Sequence, residues 1–398
     1  MAQVTKPLEG EVVEVREVGR RWAIPRWWWV NIAFPFVITR LFILIIGVLA
    51  MGILPQSQLD IAYHVSDNPA LDMWSRWDAM WYIRIADEGY SYVPGEQSSI
   101  AFYPLFPALL KGLGLILTFG RPPTLAEYTV AGLIIANLAF LLALTALYRL
   151  TALEFDADVA GRATWFLAIY PGSLFLSAPY AEPVTMALVI GSFYLARRHL
   201  WGWGGYVAFL AAISRLVGAF VFIPFAYAVW QQWRKTRQIG TTWVAIVFPL
   251  FGGLLFPLYL FWRFGDPLAI INVQKAWQRQ PGAIWDTFLR YLYEPVHAHA
   301  YSMSALDLGF TLVALVFLVL GLRKLPWHYS LFAALVLYAS IGTGTLTSLI
   351  RHSMGPFPIY MTMAWYSRNR QVYEALTVAS LTLLGLLTAL FALWYWVA

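Results

Sequence analysis

The chain has 398 residues, of which 60% are hydrophobic and only 12% are charged, and its formal net charge is +6. Soluble domains typically carry about 25% charged residues, so this composition excludes a single soluble core and indicates a polytopic membrane protein. The absence of cysteine excludes disulfides, thiolate metal sites and cysteine nucleophiles. The basic residues form short clusters between apolar runs. Membrane topology explains that charge, so the predicted partner is a lipid bilayer, with no nucleic acid.

The first apolar run lies at about residues 27–53 and carries Arg40 in its interior. A signal peptide has an apolar region of only about 7–15 residues, so this run is predicted to be an uncleaved transmembrane helix. Residues 1–26 are polar and charged and are predicted to form a short cytoplasmic tail. Residues 27–398 are predicted to form one transmembrane domain.

A long polar section at about residues 54–123 is predicted to be the first outer loop. Its Asn68-Pro69 pair is a helix start signal and Gly89 is a typical helix end, so a helix of about 20 residues is expected. Helical periodicity places one carboxylate in the middle of an aromatic and aliphatic stripe. The stripe comprises Leu71, Trp74, Asp78, Trp81 and Ile85.

Asp78 is the most informative residue of that helix. A carboxylate on an apolar face is costly unless it is used or paired. Asp78 is therefore a candidate general base, placed to accept a proton from a substrate hydroxyl. A structural ion pair with Arg76, with Arg84 or with an arginine of another helix is the alternative, and position alone leaves both open.

Further apolar segments follow between residues 124 and 397, and about eleven spans are predicted in total. Several are shorter than the roughly 17–25 residues of a full span, which is typical of helices that line a cavity. Residues 101–120 are predicted to form an interfacial helix, because that topology places every adjacent basic pair on the cytoplasmic side. Most acids then lie in outer loops, so the site is expected on the extracytoplasmic face.

Glu182 lies in the segment 177–183 between two short apolar runs. Two prolines in this segment favour an extended turn, which would hold Glu182 at the outer end of two helices, near the level expected for Asp78. There it could orient a sugar hydroxyl or support the base. A polar loop residue at the level of the lipid headgroups is the alternative.

Several basic residues lie near the outer side of the membrane, against the usual distribution. They are Arg40, Arg84, Lys111, Arg215 and Arg351. Guanidinium groups match phosphate oxygens, and a lipid phosphate would lie at this depth. We expect at least one of Arg215 and Arg351 to bind a phosphate, with Arg40 and Lys111 as further candidates. Snorkelling of these side chains to the headgroups is the alternative.

The histidines and sequence motifs indicate neither a metal nor a cofactor. His297, His299 and His352 do not have the spacing of a metal site, although Glu182 with Asp78 could hold a divalent ion. There is no Walker loop, no GxGxxG before a helix and no nucleophile elbow, so nucleotide-dependent and covalent mechanisms lack support. A second large outer loop, at about 263–305, could cover a site or contact an acceptor. Its aromatic and basic residues include Trp277, Arg279, Trp285 and Arg290.

Three blocks carry a family resemblance. The first comprises Arg76-Trp77-Asp78-Ala79, Trp81-Tyr82, Ile85-Ala86, Gly89-Tyr90 and Ala101-Phe102-Tyr103-Pro104-Leu105-Phe106-Pro107. The second comprises Tyr170-Pro171-Gly172-Ser173, Phe175, Ser177-Ala178, Tyr180 and Glu182, and the third is Ser214-Arg215 with Gly218. Between about residues 30 and 360 the chain therefore resembles the PIG-V type mannosyltransferases, the GPI mannosyltransferase 2 family and its prokaryotic relatives.

The resemblance implies an all-α, polytopic GT-C glycosyltransferase fold with its site on the outer face and a surface-lying helix after the catalytic acid. It also implies a polyprenyl (dolichyl-type) phosphate sugar donor, usually of mannose, inversion at the anomeric carbon, and a glycolipid or glycan acceptor whose identity does not carry over. It assigns the role of base to Asp78, and we predict Glu182 as the second catalytic residue because of its expected position near Asp78. The residues assigned to substrate binding are Arg76, Trp77, Trp81, Tyr82, Tyr103 and Tyr180.

The predicted function is a mannosyltransferase of the prokaryotic plasma membrane with a cytoplasmic N-terminus. In this hypothesis Arg215 or Arg351 stabilises the departing polyprenyl phosphate. A transporter or lipid flippase is the alternative, since it would also have broken helices and buried charges, and a scaffold protein is a third interpretation. The chain shows no internal repeat and its charges cluster in outer loops, so we favour the enzyme.

Overall fold

The computed structural model describes residues 24–57, 64–238, 240–280, 282–298 and 300–397. Most of the predicted tail at 1–26, and His299 of the second outer loop, lie outside these ranges. Within them the chain is helical and contains no β-strand, which confirms the predicted all-α class.

The helices have the following bounds in chain order. They are α1 Arg26–Ile53, α2 Pro69–Asp72, α3 Asp78–Glu88, α4 Leu105–Leu117, α5 Leu125–Glu154, α6 Ala157–Ile169, α7 Glu182–Arg197, α8 Trp201–Ala212, α9 Leu216–Thr236, α10 Val244–Phe264, α11 Ala269–Asn272, α12 Ile284–Tyr293, α13 Ala305–Gly321, α14 Trp327–Ile341, α15 Leu349–His352, α16 Pro358–Tyr366 and α17 Arg370–Ala392. Short 3-10 turns precede or follow several of them, among them Pro171–Leu176 and Val273–Trp277.

Five of the described helices, α1, α5, α9, α10 and α17, are long and apolar enough to cross a membrane. Helix α1 confirms the predicted first transmembrane helix, with Arg40 in its interior. Other predicted spans correspond to shorter apolar helices such as α13 and α14. The total of about eleven spans, the single domain from residue 27 and the orientation in the membrane stay predictions.

The longest helix, α5, is fixed at its start by a capping box between Thr124 and Glu127. It packs along α7, and α8 packs equally closely against α10. The α8–α10 contact depends on two glycines, because a Cβ atom at Gly205 would lie 2.8 Å from Ala245 Cα and one at Gly252 would lie 2.7 Å from Phe209 O. Small residues at helix contacts are typical of membrane bundles, where close backbone approach maximises van der Waals contact.

The predicted 20-residue helix of the first outer loop is wrong in its centre. Asn68 caps the start, with its side chain accepting from Ala70 N, and Gly89 ends the segment at φ 88°, as expected. Between them the chain breaks into α2 and α3, because Trp77 has the left-handed φ of 53°. A new helix therefore begins at Asp78, and Asp78 is not part of one continuous stripe with Leu71.

The predicted interfacial helix at 101–120 corresponds to α4, which begins after Pro104 and packs on α3 and α5. Its position at the membrane surface stays a prediction. The predicted second outer loop contains α11, the 3-10 turn Val273–Trp277 and α12. Helix α11 and this turn line the same cavity as residues of the predicted first outer loop.

Candidate active site

A cavity of about 600 Å³ lies where α3, α7, α9 and α15 begin. Five charged side chains of the described residues line it: Asp78, Glu182, Arg215, Arg279 and Arg351. Four of these five were sequence-predicted site residues, although they come from four separate regions of the chain. The volume is within the about 300–1,000 Å³ of typical small-ligand sites.

Asp78 is the first residue of α3 and is only 9% exposed. The left-handed residue Trp77 immediately before it ends the preceding turn, so the carboxylate lies in the first turn of the new helix. A helix N-terminus favours negative charge. Asp78 Oδ2 lies 2.5 Å from Arg351 Nη1, so the sequence-level alternative, an ion pair with an arginine of another helix, does occur. It occurs on a carboxylate that lines the cavity.

Glu182 is the first residue of α7 and is followed by Pro183, a residue suited to the first helical turn. Its Oε1 forms an ion pair with Arg215 Nη1 and lies 3.2 Å from Arg351 Nε. Its Oε2 is buried without a hydrogen-bond partner among the described residues. The two carboxylates and two guanidiniums therefore alternate, in the order Asp78, Arg351, Glu182 and Arg215, and we call these four residues the cavity cluster.

The backbone around Arg351 is held from two sides. Arg351 belongs to the short helix α15, whose Ile350 N donates to Asp307 Oδ1 at 3.1 Å. The hydroxyl groups of Tyr170 and Ser353 are 2.7 Å apart, which ties the end of α15 to the segment after α6. These contacts fix the main chain of Arg351, whose guanidinium contacts two carboxylates.

Of the predicted substrate-binding residues, Tyr82 and Tyr103 line the cavity. Trp81 lies beside it, stacked on Phe102 at 5.8 Å between ring centroids and in edge contact with Trp277 at 5.8 Å. Because Phe102 and Trp277 themselves line the cavity, aromatic residues of both predicted outer loops form one of its walls. Aromatic faces of this kind suit a sugar ring or an apolar chain.

Three predicted substrate-binding residues, Arg76, Trp77 and Tyr180, do not line the cavity. Arg76 is fully buried; it donates to Asp72 O at 2.5 Å and to Ala392 O at 3.3 Å, and pairs with Asp72 Oδ2 at 2.7 Å. The Tyr180 hydroxyl donates to Arg76 O at 2.9 Å. We call Asp72, Arg76 and Tyr180 the Arg76 cluster, and its contacts fix the break between α2 and α3.

The side chains of Trp77 and Arg76 contact two tryptophans near the last described residue. The Trp77 ring lies 5.7 Å from Trp394 and 5.0 Å from Trp396, and the Arg76 guanidinium lies 4.6 Å above the Trp394 ring. Trp396 lines the cavity, so Trp77 supports the wall from behind.

Arg40 and Lys111 also do not line the cavity. Arg40 donates to the carbonyl oxygens of Ser173 at 2.9 Å and Ala168 at 3.2 Å, and to the hydroxyl of Ser177 at 2.9 Å. Through these neutral acceptors the guanidinium ties α1 to the turn after α6. Lys111 is exposed on α4.

The cavity also contains residues that the sequence analysis did not assign to the site. Apart from Arg279 they include Gln274, Trp277, Tyr301, His352 and Trp396. The density of tryptophan and arginine in the second outer loop was the one available signal for Trp277 and Arg279. Within the described ranges, no group of three or more His, Asp or Glu side chains is arranged to hold a metal ion.

The comparisons with known proteins cover the part of the chain that carries Asp78, Glu182 and Arg215. Residues 55–245, close to half of the chain, match the family model described as Mannosyltransferase (PIG-V). GPI mannosyltransferase 2 of Cryptococcus neoformans var. neoformans serotype D is 34% identical over 133 residues, which are 33% of this chain and 29% of that protein. GPI mannosyltransferase 2 of Drosophila melanogaster is 24% identical over 161 residues, 36% of this chain and 34% of that protein.

Among solved structures, ArnT from Cupriavidus metallidurans bound to undecaprenyl phosphate has a TM-score of 0.51 at 15% sequence identity. The likeness covers 86% of this chain and 62% of that one. At this identity it concerns the fold alone, and it confirms the predicted GT-C type membrane fold. The predicted resemblance to PIG-V type mannosyltransferases is confirmed as well, over a match that spans about a third of the curated relatives' length.

Proposed function

We propose that this protein transfers a mannosyl residue from a polyprenyl phosphate sugar to a hydroxyl of a lipid-linked glycan or similar acceptor. Asp78 is the general base, and the configuration at the anomeric carbon is inverted. The observation that carries the proposal is the cavity cluster, which joins Asp78, Glu182 and Arg215 of the segment that matches the mannosyltransferase family to Arg351 outside it.

The chemistry follows from where charge develops. The acceptor oxygen attacks C1 of the sugar while Asp78 accepts its proton, and the bond between C1 and the phosphate oxygen breaks. The bonding electrons leave with the polyprenyl phosphate on the opposite side of the sugar. Guanidinium groups fixed in a partly buried cavity stabilise that growing charge more than water would, and Arg215 and Arg351 both line the cavity.

The ion pairs of the cluster hold both carboxylates in a fixed orientation. A general base must be unprotonated and within hydrogen-bond reach of its proton, so the Asp78–Arg351 pair is compatible with the role. Glu182 shares Arg351 and so limits its movement. Glu182 can also accept a hydrogen bond from a sugar hydroxyl through its unpartnered Oε2.

Two further observations support the donor class and the membrane side. The structural neighbour ArnT is described as bound to undecaprenyl phosphate, a lipid phosphate of the kind that this mechanism releases. The distribution of basic residues favours a cytoplasmic N-terminus and a site on the extracytoplasmic face of a prokaryotic plasma membrane.

The test is a transfer assay on membranes that contain Asp78→Asn, with labelled polyprenyl phosphate mannose as donor. Loss of a general base typically lowers the rate by about 10²–10⁴-fold, so transfer should fall by at least about a hundredfold while the protein still accumulates. Asp87→Asn is the matched control, because Asp87 is an exposed acid of the same helix. Full transfer by Asp78→Asn would remove the assignment.

A further inference from the structure

The charges that line the cavity do not balance. Among the described residues they are the carboxylates of Asp78 and Glu182 and the guanidiniums of Arg215, Arg279 and Arg351. His352 also lines the cavity, and burial lowers its pKa well below the ordinary value. Two guanidiniums are paired with the two carboxylates in the cavity cluster. One positive charge is left, and it is that of Arg279.

The surroundings of Arg279 support this conclusion. Its only polar contact in the described part of the chain is a long one, 3.5 Å from Nη2 to Ser348 Oγ, and no described carboxylate pairs with it. A guanidinium carries several N–H donors in a planar fork, so most of its capacity is unused. Burial, with Arg351 as a second cause, lowers the pKa of Arg279 to about 10, and the nearby charge of Asp78 offsets only part of that shift.

Arg279 is nevertheless held in place. The residue after it, Gln280, donates its backbone N–H to Thr343 O at 2.9 Å, and Gly282 N donates to Gly342 O at 3.1 Å. On its other side Gln278 adopts a left-handed φ of 56°, which turns the chain sharply after the 3-10 turn. A charged side chain on a fixed backbone, facing a cavity without a counter-ion, is a preformed anion site.

We propose that Arg279 is the principal anchor of the donor's phosphate, an inference that rests on the proposed function. A sugar phosphodiester carries one negative charge, which equals the charge that the cavity leaves uncompensated. When the bond from C1 to the phosphate oxygen breaks, the leaving group becomes a monoester with additional negative charge. The guanidinium of Arg279 has no ion-pair partner within the described ranges and can interact fully with that charge. The guanidiniums of Arg215 and Arg351 already form ion pairs with Glu182 and Asp78.

Binding by the purified full chain in detergent tests the proposal. The probes are undecaprenyl phosphate, the uncharged undecaprenol, phosphatidylglycerol and inorganic phosphate, and the readouts are the dissociation constant and the ligand-induced shift in thermal unfolding. Arg279→Gln should weaken binding of undecaprenyl phosphate by about 10- to 100-fold and leave undecaprenol unaffected. Arg279→Lys should recover part of the loss, because it keeps the charge but not the planar fork.

Arg290→Gln is the matched control, since Arg290 is an exposed arginine of the same outer loop that pairs with Glu294 and does not line the cavity. It should bind undecaprenyl phosphate as the parent does. The proposal is overturned if Arg279→Gln binds undecaprenyl phosphate normally, or if it weakens undecaprenyl phosphate and undecaprenol equally, as a merely structural role would. Equal protection by phosphatidylglycerol or inorganic phosphate would also overturn the assignment to the donor.

A transfer assay separates this inference from the function on which it rests. If the parent protein transfers mannose and Arg279→Gln raises the KM for the donor, both are supported. If transfer occurs with an unchanged donor KM, the role of Arg279 fails and the function stands. If the parent transfers no mannose but loses phosphate binding on Arg279→Gln, the anion site stands and the proposed function fails.

Discussion

Two buried aspartates, Asp72 and Asp78, each pair with an arginine but have opposite surroundings. In the Arg76 cluster, Asp72 accepts from Arg76, from Val65 N at 2.8 Å and from His64 Nδ1 at 3.2 Å, and Arg76 also donates to two carbonyl oxygens. In the cavity cluster, by contrast, Glu182 Oε2 has no partner among the described residues and both carboxylates face empty volume.

The difference shows that burial of an ion pair does not reveal its role. Both pairs are almost inaccessible, and both carry the residue types that sequence reasoning associates with catalysis. The Arg76 cluster is saturated by its own protein, so it can only hold structure. The cavity cluster keeps unused hydrogen-bonding capacity, so it can act on a substrate.

Arg76→Gln should give the largest effect on stability, because it leaves the Asp72 carboxylate buried without its cation. Removing one partner of a buried pair typically costs about 3–5 kcal/mol, so the yield of folded protein and its midpoint of thermal unfolding should fall sharply. Arg370→Gln is the control, since the side chain of Arg370 is 89% exposed. An unchanged unfolding midpoint for Arg76→Gln would contradict the structural role of the cluster.

Glu182→Gln, in contrast to Arg76→Gln, should lower activity more than stability. The substitution replaces charge-assisted contacts to Arg215 and Arg351 by neutral ones, so kcat should fall by about 10- to 100-fold. The cavity becomes more positive, so the KM for an anionic donor should not rise. Steady-state kinetics with Glu294→Gln as control measures both quantities, and a rise in donor KM at constant kcat would argue against this role.

Tyr180→Phe should give the smallest effect. It removes the hydroxyl that donates to Arg76 O, which still accepts from Ala79 N at 3.2 Å, so the loss of stability should be about 1 kcal/mol. Thermal unfolding beside Tyr293→Phe, a change at an 82% exposed tyrosine, measures it. A raised donor KM instead would restore Tyr180 to substrate binding, as the family resemblance implied.

Much of the fold followed from the sequence because membrane helices have a simple signature. Length and hydropathy predicted the all-α class and the first span, and turn chemistry located Asn68 and Gly89. The break at Trp77 could not be predicted, because the carbonyl of the preceding residue, Arg76, accepts a hydrogen bond from Tyr180, which is distant in the sequence. A left-handed tryptophan has no local sequence signal.

The candidate site, too, could be predicted only in part from the sequence. Asp78 and Glu182 were identified from their polar chemistry in apolar surroundings, and Arg215 and Arg351 from their placement against the charge distribution. Their pairing could not be read from the sequence, nor could the neutral backbone acceptors that occupy Arg40. The comparisons name glycosyltransferases and do not favour the transporter alternative.

The hydrogen bond from Arg76 to the carbonyl of Ala392 also sets an order of events during biosynthesis. The two residues are 316 positions apart, so Arg76 leaves the ribosome long before its acceptor exists. At about 5–20 residues per second, the interval is roughly 15 to 60 seconds. During that time the turn that precedes Asp78 lacks one of its fixed contacts, and insertion of α17 completes it. The contacts that fix this turn are therefore complete only after α17 has been synthesised.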